Sequence, residues 1–92
     1  MQQTVLTLTN PVGLHARPAA KFVQTAARFA SAISVRNLTR GSASADAKAI
    51  LAVLTLGAER GDVIEVSAAG PDEAASVAAI KALIESNFGE GT

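Results

Sequence analysis

The chain has 92 residues, and eight basic side chains balance eight acidic ones, so its formal net charge is zero at pH 7. It contains three phenylalanines but no tryptophan, tyrosine or cysteine. This composition argues against a nucleic-acid-binding face, which needs positive charge and stacking rings, and excludes disulfides and thiolate metal sites. The length fits one domain with a small core, so we expect the functional site at the surface.

The first half of the chain predicts a strand, a helix and two further strands. Residues 4–9 alternate apolar with polar side chains, as a half-buried strand does. From Ala16 the apolar residues recur every three or four positions, which predicts an amphipathic helix of about four turns. Residues 32–38 alternate again, and the small, polar segment 39–46 predicts a turn that leads into a short third strand.

The second half predicts a helix, a strand and a last helix. Residues 47–57 are rich in alanine and leucine and end at a glycine, as short helices do. Residues 62–68 alternate as a fourth strand. Proline and acidic residues at 71–73 are typical of a helix start. The buried stripe predicted for this last helix consists of Val77, Ile80, Ile84 and Phe88.

This order of elements predicts an α+β fold, in which three helices cover one face of a four-stranded, mostly antiparallel sheet. We expect residues 1–92 to form a single domain, because no repeat or linker interrupts them. The start, MQQTVLTLT, has no basic segment followed by a long apolar run, and no stretch approaches the roughly 20 apolar residues that span a bilayer. We therefore expect a soluble, cytoplasmic protein that does not insert into membranes.

The segment GLHARPAA, residues 13–20, contains the single histidine of the chain. His15 stands at the predicted helix start, where the first backbone N–H groups have no partner within the helix. Ala16, Arg17 and Pro18 would form the first turn, and proline is tolerated there because its missing donor is not needed. Gly13 would let the preceding loop bend and would keep the space before the histidine open.

This arrangement suits a phosphoryl group. The positive end of the helix favours the neutral, nucleophilic imidazole, and the amide groups with Arg17 form an anion site. No Asp or Glu occurs within residues 1–45 to activate water, and one histidine cannot hold a metal. The residues thus predict a carrier rather than a hydrolase, with no metal and no cofactor, although a lone histidine can also simply cap its helix.

GLHARPAA resembles the active-site signature of the HPr family, the histidine-containing phosphocarriers of the sugar phosphotransferase system. SASA, LTLG and RGDVIEVSAAGPDE extend the resemblance over essentially the whole chain. It implies an open-faced β-sandwich in which Nδ1 of His15 accepts a phosphoryl group from enzyme I, itself charged by phosphoenolpyruvate. The group would pass to a IIA protein or domain. Arg17 would bind the phosphate, helped by the backbone of Ala16 and Arg17, with Pro18 in the same turn.

The short second helix carries more apolar bulk than one buried stripe requires. Ile50, Leu51, Val53 and Leu54 are all core in one interpretation and form a partner surface in the other. The resemblance implies docking onto enzyme I and IIA proteins through Arg17, Ala20, Ile50, Leu51 and Leu54. We expect the carrier itself to be a monomer.

Two features leave alternatives open. Many relatives carry a kinase-regulated serine at the start of the short helix, whereas our alignment places Ala49 there, with Ser42 and Ser44 nearby. The ending IESNFGEGT also looks like the tail of carrier domains in multidomain phosphotransfer proteins, including the one that serves dihydroxyacetone kinase. The alternatives are therefore an excised carrier domain, or an HPr-like regulatory module that binds a partner without carrying phosphate.

Overall fold

The computed structural model describes residues 1–89. Four strands form one antiparallel sheet in the order β1-β4-β2-β3. The strands are β1 (Gln2–Thr7), β2 (Ala32–Asn37), β3 (Ala45–Asp46) and β4 (Val63–Ala69). The helices are α1 (Ala16–Ala27), α2 (Ile50–Leu54) and α3 (Glu73–Glu85), and a 3-10 turn follows at Asn87–Gly89. The predicted α+β architecture is confirmed.

Alternation along the strands gives the sheet one apolar and one polar face. Ile33, Val35 and Asn37 of β2 are buried, and they lie on the same side as Ile64 and Val66 of β4. The opposite face is open and carries the Arg36–Glu65 ion pair, with 2.9 Å between Nε and Oε1. Helix α3 packs on β1 and β4, and α1 packs on α2 and α3, so the helices cover one face of the sheet.

The helices are shorter than the sequence pattern predicts. Helix α1 ends at Ala27 because the backbone beyond it finds other partners: the carboxylate of Asp72 accepts the N–H groups of Ala30 and Ser31 at 2.9 Å. Helix α2 loses its predicted first turn because the N–H of Ala47 donates to Ile33 O of β2 at 3.0 Å. Tertiary hydrogen bonds therefore set these ends.

Phe88 was predicted to be the last residue of the α3 stripe, and this position is wrong. Its side chain is buried, but it lies in the 3-10 turn with a left-handed φ of 59°. Lys21 of α1 donates a hydrogen bond to Phe88 O at 2.8 Å, and Thr9 donates to Asn87 Oδ1 at 2.8 Å. The turn therefore folds back beside the segment that leads to His15. None of the described helices is long and apolar enough to cross a bilayer.

Candidate functional site

His15 joins an extended loop to α1. It occupies the N-cap position with extended backbone angles (φ −133°, ψ 160°), and its side chain is half-buried. The predicted cap position is confirmed, but the imidazole makes no capping hydrogen bond. The ring is therefore held at the helix start without its nitrogens being used by the helix, and no acidic residue occupies the first turn of α1.

Ala16 has a backbone conformation that the sequence did not predict. It is the first residue of α1, yet its φ is 53°, in the left-handed region that side chains with a Cβ disfavour by about 1 to 2 kcal/mol. The chain must turn from extended His15 into a helix within one residue, and Ala16 makes that turn. Ala16 and Arg17 are exposed, whereas Pro18 is buried against the core.

Two loops form the surroundings of His15. We call residues 8–15 the histidine loop and residues 57–62 the facing loop. Leu8 N donates to Asp62 O at 2.9 Å, and Gly61 N donates to Leu8 O at 2.7 Å. One residue before the histidine, Leu14 N donates to Ala58 O at 2.9 Å. The facing loop therefore fixes the histidine loop at both of its ends.

Gly13 is required where the two loops touch. Its φ is 66°, and a Cβ placed on it would lie 2.4 Å from Ala58 O and 2.6 Å from Glu59 Cα. The Nδ2 group of Asn10 donates to Gly13 O at 2.9 Å across the same turn. The prediction that Gly13 shapes this loop is confirmed, but the reason is close backbone packing rather than open space before the histidine.

Asp62 anchors the facing loop. Its Oδ2 accepts hydrogen bonds from Asn37 Nδ2 at 3.0 Å, Arg40 Nε at 2.8 Å and the N–H of Glu59 at 3.1 Å. The bond from Asn37, followed by that from Arg40, lowers the pKa of Asp62 from 3.8 to about 2. A buried β2 side chain and an arginine after β2 thus hold the loop that faces His15.

His15 opens onto a pocket of about 440 Å³ lined also by Pro11, Val12, Glu59 and Arg60. A larger pocket of about 510 Å³ lies elsewhere, at the ends of β2 and β4, and does not include His15.

Glu59 and Arg60 were missed by sequence reasoning, which looked for an acidic residue only within residues 1–45. They are far from His15 along the chain, so only the sheet topology brings them to the pocket. The Glu59 carboxylate accepts a hydrogen bond from Arg40 at 3.2 Å.

The predicted docking residues lie on the surface around α1 and α2. In α2, Leu51 is 75% exposed, Ile50 40% and Leu54 36%, whereas Val53 is fully buried. The interpretation that all four belong to the core is therefore wrong. On α1, Ala20 is half-buried. Ala49 occupies the N-cap position of α2.

The fold and site together define a class: a small open-faced α+β domain that presents a histidine at the start of its first helix. Residues 2–86 match the model of the family described as "PTS HPr component phosphorylation site". The chain belongs to the HPr family, the phosphocarriers of the phosphotransferase system.

Similar proteins agree on this assignment. The chain is 40% identical to the phosphocarrier protein HPr of Cupriavidus necator over 91 residues, which cover 99% of each chain. It superimposes on the crystal structure of HPr-C-His from Thermoanaerobacter tengcongensis with a TM-score of 0.93 and 43% identity, covering 98% of both chains. It is also 41% identical to a multiphosphoryl transfer protein of Xanthomonas campestris over 80 residues, which are 87% of this chain and 9% of that one.

Proposed function

We propose that His15 accepts a phosphoryl group from phosphorylated enzyme I and passes it to IIA proteins or domains. The observation that carries this proposal is the position of His15: it stands at the N-cap of α1, yet its imidazole makes no capping hydrogen bond. A side chain that only stabilised the helix would bond to the backbone N–H groups of the first turn. The ring is instead available to a phosphoryl donor.

The transfer is a displacement at phosphorus. The lone pair of Nδ1 forms the new N–P bond while the bond from phosphorus to the donor atom breaks, and the electron pair of that bond leaves with the donor. The second transfer runs the same way toward the acceptor, so the phosphoryl group is conserved and His15 is regenerated. No metal, cofactor or redox change is needed for this balance.

Ala16, Arg17 and Pro18 bind the group in this proposal. The positive end of α1 and the Arg17 guanidinium attract the phosphoryl oxygens, and each hydrogen bond to such a charged group contributes about 1.5 to 3 kcal/mol. This is enough to orient the group for transfer without storing it tightly.

Partner docking involves Arg17, Ala20, Ile50, Leu51 and Leu54. The exposed apolar side chains of α2 form a small patch, and a small patch suits the weak, repeated contacts of a shuttle. We also propose that residues 1–92 act as one carrier domain, because the described residues share one hydrophobic core. We place this carrier in the cytoplasm. The same unit would serve free-standing or within a multidomain phosphotransfer protein.

The proposal is tested with enzyme I, phosphoenolpyruvate and a IIA protein. We expect Arg17→Ala to slow phosphoryl transfer at least tenfold while unfolding as the parent does, because its exposed side chain contributes little to the core. A matched control is Arg28→Ala, an exposed arginine at the far end of α1. Equal rates for the two variants would contradict the role of Arg17.

The regulatory alternative is favoured by one observation, the exposure of Leu51. A module that only binds its partner through α2 would bind equally well when His15 is replaced by alanine, and it would not be phosphorylated. Binding and phosphorylation measured on the same His15→Ala and parent samples therefore separate the two functions.

A further inference from the structure

The two charged residues of the facing loop that line the His15 pocket differ in their partners. The Glu59 carboxylate accepts a hydrogen bond from Arg40. Arg60 is exposed and, among residues 1–89, forms no ion pair and no side-chain hydrogen bond. The pocket is therefore lined by one carboxylate that is paired with an arginine and by one guanidinium whose five N–H donors are available.

Arg40 is itself fixed in place. Its Nε donates to Asp62 Oδ2 at 2.8 Å, and the Asp62 side chain is only 8% exposed. Its Nη2 then donates to Glu59 Oε1 at 3.2 Å. Arg40 does not line the pocket, so the cation that contacts Glu59 belongs to a residue outside the pocket lining. The Asp62 carboxylate thus holds in place the arginine that contacts Glu59.

A phosphoryl group brings about 1.5 to 2 negative charges and three acceptor oxygens to the ring it modifies. Before phosphorylation, Arg60 has no side-chain partner in the part of the chain that the structure describes. After phosphorylation, the new charge would be repelled by a free Glu59 and attracted by Arg60. Planar guanidinium groups match phosphoryl oxygens well because two N–H groups can donate in parallel.

We propose that Arg60 binds the phosphoryl group on His15 from the facing loop, as a second cation in addition to Arg17. Arg40 is a positioning residue that holds the Glu59 carboxylate away from that group. This inference rests on the proposed function, because it assigns Arg60 a role only in the phosphorylated state. Arg60 lies outside GLHARPAA and reaches the site through the packing of two loops.

The test compares Arg60→Gln with Arg60→Lys and the control Arg28→Gln. Arg28 is also exposed, and its replacement by glutamine removes one positive charge, as Arg60→Gln does. Its guanidinium lies 5.8 Å from the centre of the Phe29 ring, at the far end of α1 from His15. Each variant is phosphorylated with phosphoramidate, which modifies histidine without a protein donor. The pH at which the phosphoryl group loses its last proton is then followed by ³¹P NMR.

A cation beside the phosphoryl group favours its dianion. We therefore expect Arg60→Gln to strengthen proton binding by the phosphoryl group about two- to fivefold, the size expected for an exposed ion pair, while Arg60→Lys retains part of the parent behaviour. Arg40→Gln should shift proton binding in the same direction, and adding Glu59→Gln should reverse that shift. Urea unfolding of Arg40→Gln verifies that the variant is folded.

Identical titrations for Arg60→Gln and Arg28→Gln would overturn the role of Arg60, which would then be an ordinary solvated charge. Because phosphoramidate bypasses enzyme I, failure of the parent protein to accept phosphate from enzyme I would contradict the proposed function alone. A titration that depends on Arg60 would still support the contact.

Discussion

Replacing Gly13 with alanine tests the contact that sets the position of His15. The new Cβ would lie 2.4 Å from Ala58 O, closer than such atoms approach in folded proteins, and its residue would keep a φ of 66°. The left-handed backbone costs about 1 to 2 kcal/mol, and the overlap, which can be relieved only by moving backbone, costs about 1 to 3 kcal/mol more. We expect the variant to lose about 2 to 5 kcal/mol of its free energy of unfolding.

Gly41→Ala is the matched control. Gly41 has nearly the same φ, 65°, but a Cβ there would have no atom within 4 Å, so only the backbone cost of about 1 to 2 kcal/mol applies. Urea unfolding of both variants measures the difference. We also expect faster amide exchange at Leu14 in Gly13→Ala, because its hydrogen bond to Ala58 O must lengthen. Equal losses of stability in the two variants would refute the packing argument for Gly13.

Three further predictions concern the helix start, α2 and the acid side of the stability profile. Ala16→Gly should stabilise the protein by about 0.5 to 1 kcal/mol, because glycine adopts a φ of 53° without strain; thermal unfolding that shows a loss would contradict the strain at Ala16. Leu51→Ala should change the free energy of unfolding by less than about 0.5 kcal/mol while weakening enzyme I binding, because Leu51 is exposed. Val53→Ala, at a buried position, should lower the free energy of unfolding by about 2 kcal/mol. A calorimetric binding constant unaffected by Leu51→Ala would remove α2 from the docking surface. Because the pKa of Asp62 is lower in the folded protein, the unfolded chain protonates this carboxylate first as the pH falls, so the stabilisation is complete above about pH 4 and is lost toward pH 2. Urea unfolding between pH 2 and 5 should therefore show a shallower pH dependence of stability in Asp62→Asn than in the parent. An unchanged slope would exclude Asp62 as the source of the acid sensitivity.

The sequence predicted the number, type and order of the strands and helices because these follow from local periodicity. Alternation in β2 placed Ile33, Val35 and Asn37 on one face, and each is buried. The position of His15 at the helix start could be predicted for the same reason, since the break before Ala16 and the proline after it are local signals.

What the sequence could not predict depends on contacts between distant segments. Helix α1 is shortened by the carboxylate of Asp72, and Phe88 enters the core from a turn rather than from α3. Glu59 and Arg60 reach the pocket because β4 pairs with β1, which brings the facing loop against the histidine loop. No local pattern encodes that proximity. The left-handed φ of Ala16 likewise follows from the path of the loop and not from its residue type.

Phosphorylation of His15 by enzyme I is the most direct test of the central claim. The protein is incubated with enzyme I and phosphoenolpyruvate, and the product is examined by ³¹P NMR and by mass spectrometry at neutral pH. We predict one acid-labile phosphoryl group per chain, on Nδ1 of His15, and none in His15→Ala. An unmodified parent protein, or a His15→Ala variant that still accepts phosphate, would contradict the account.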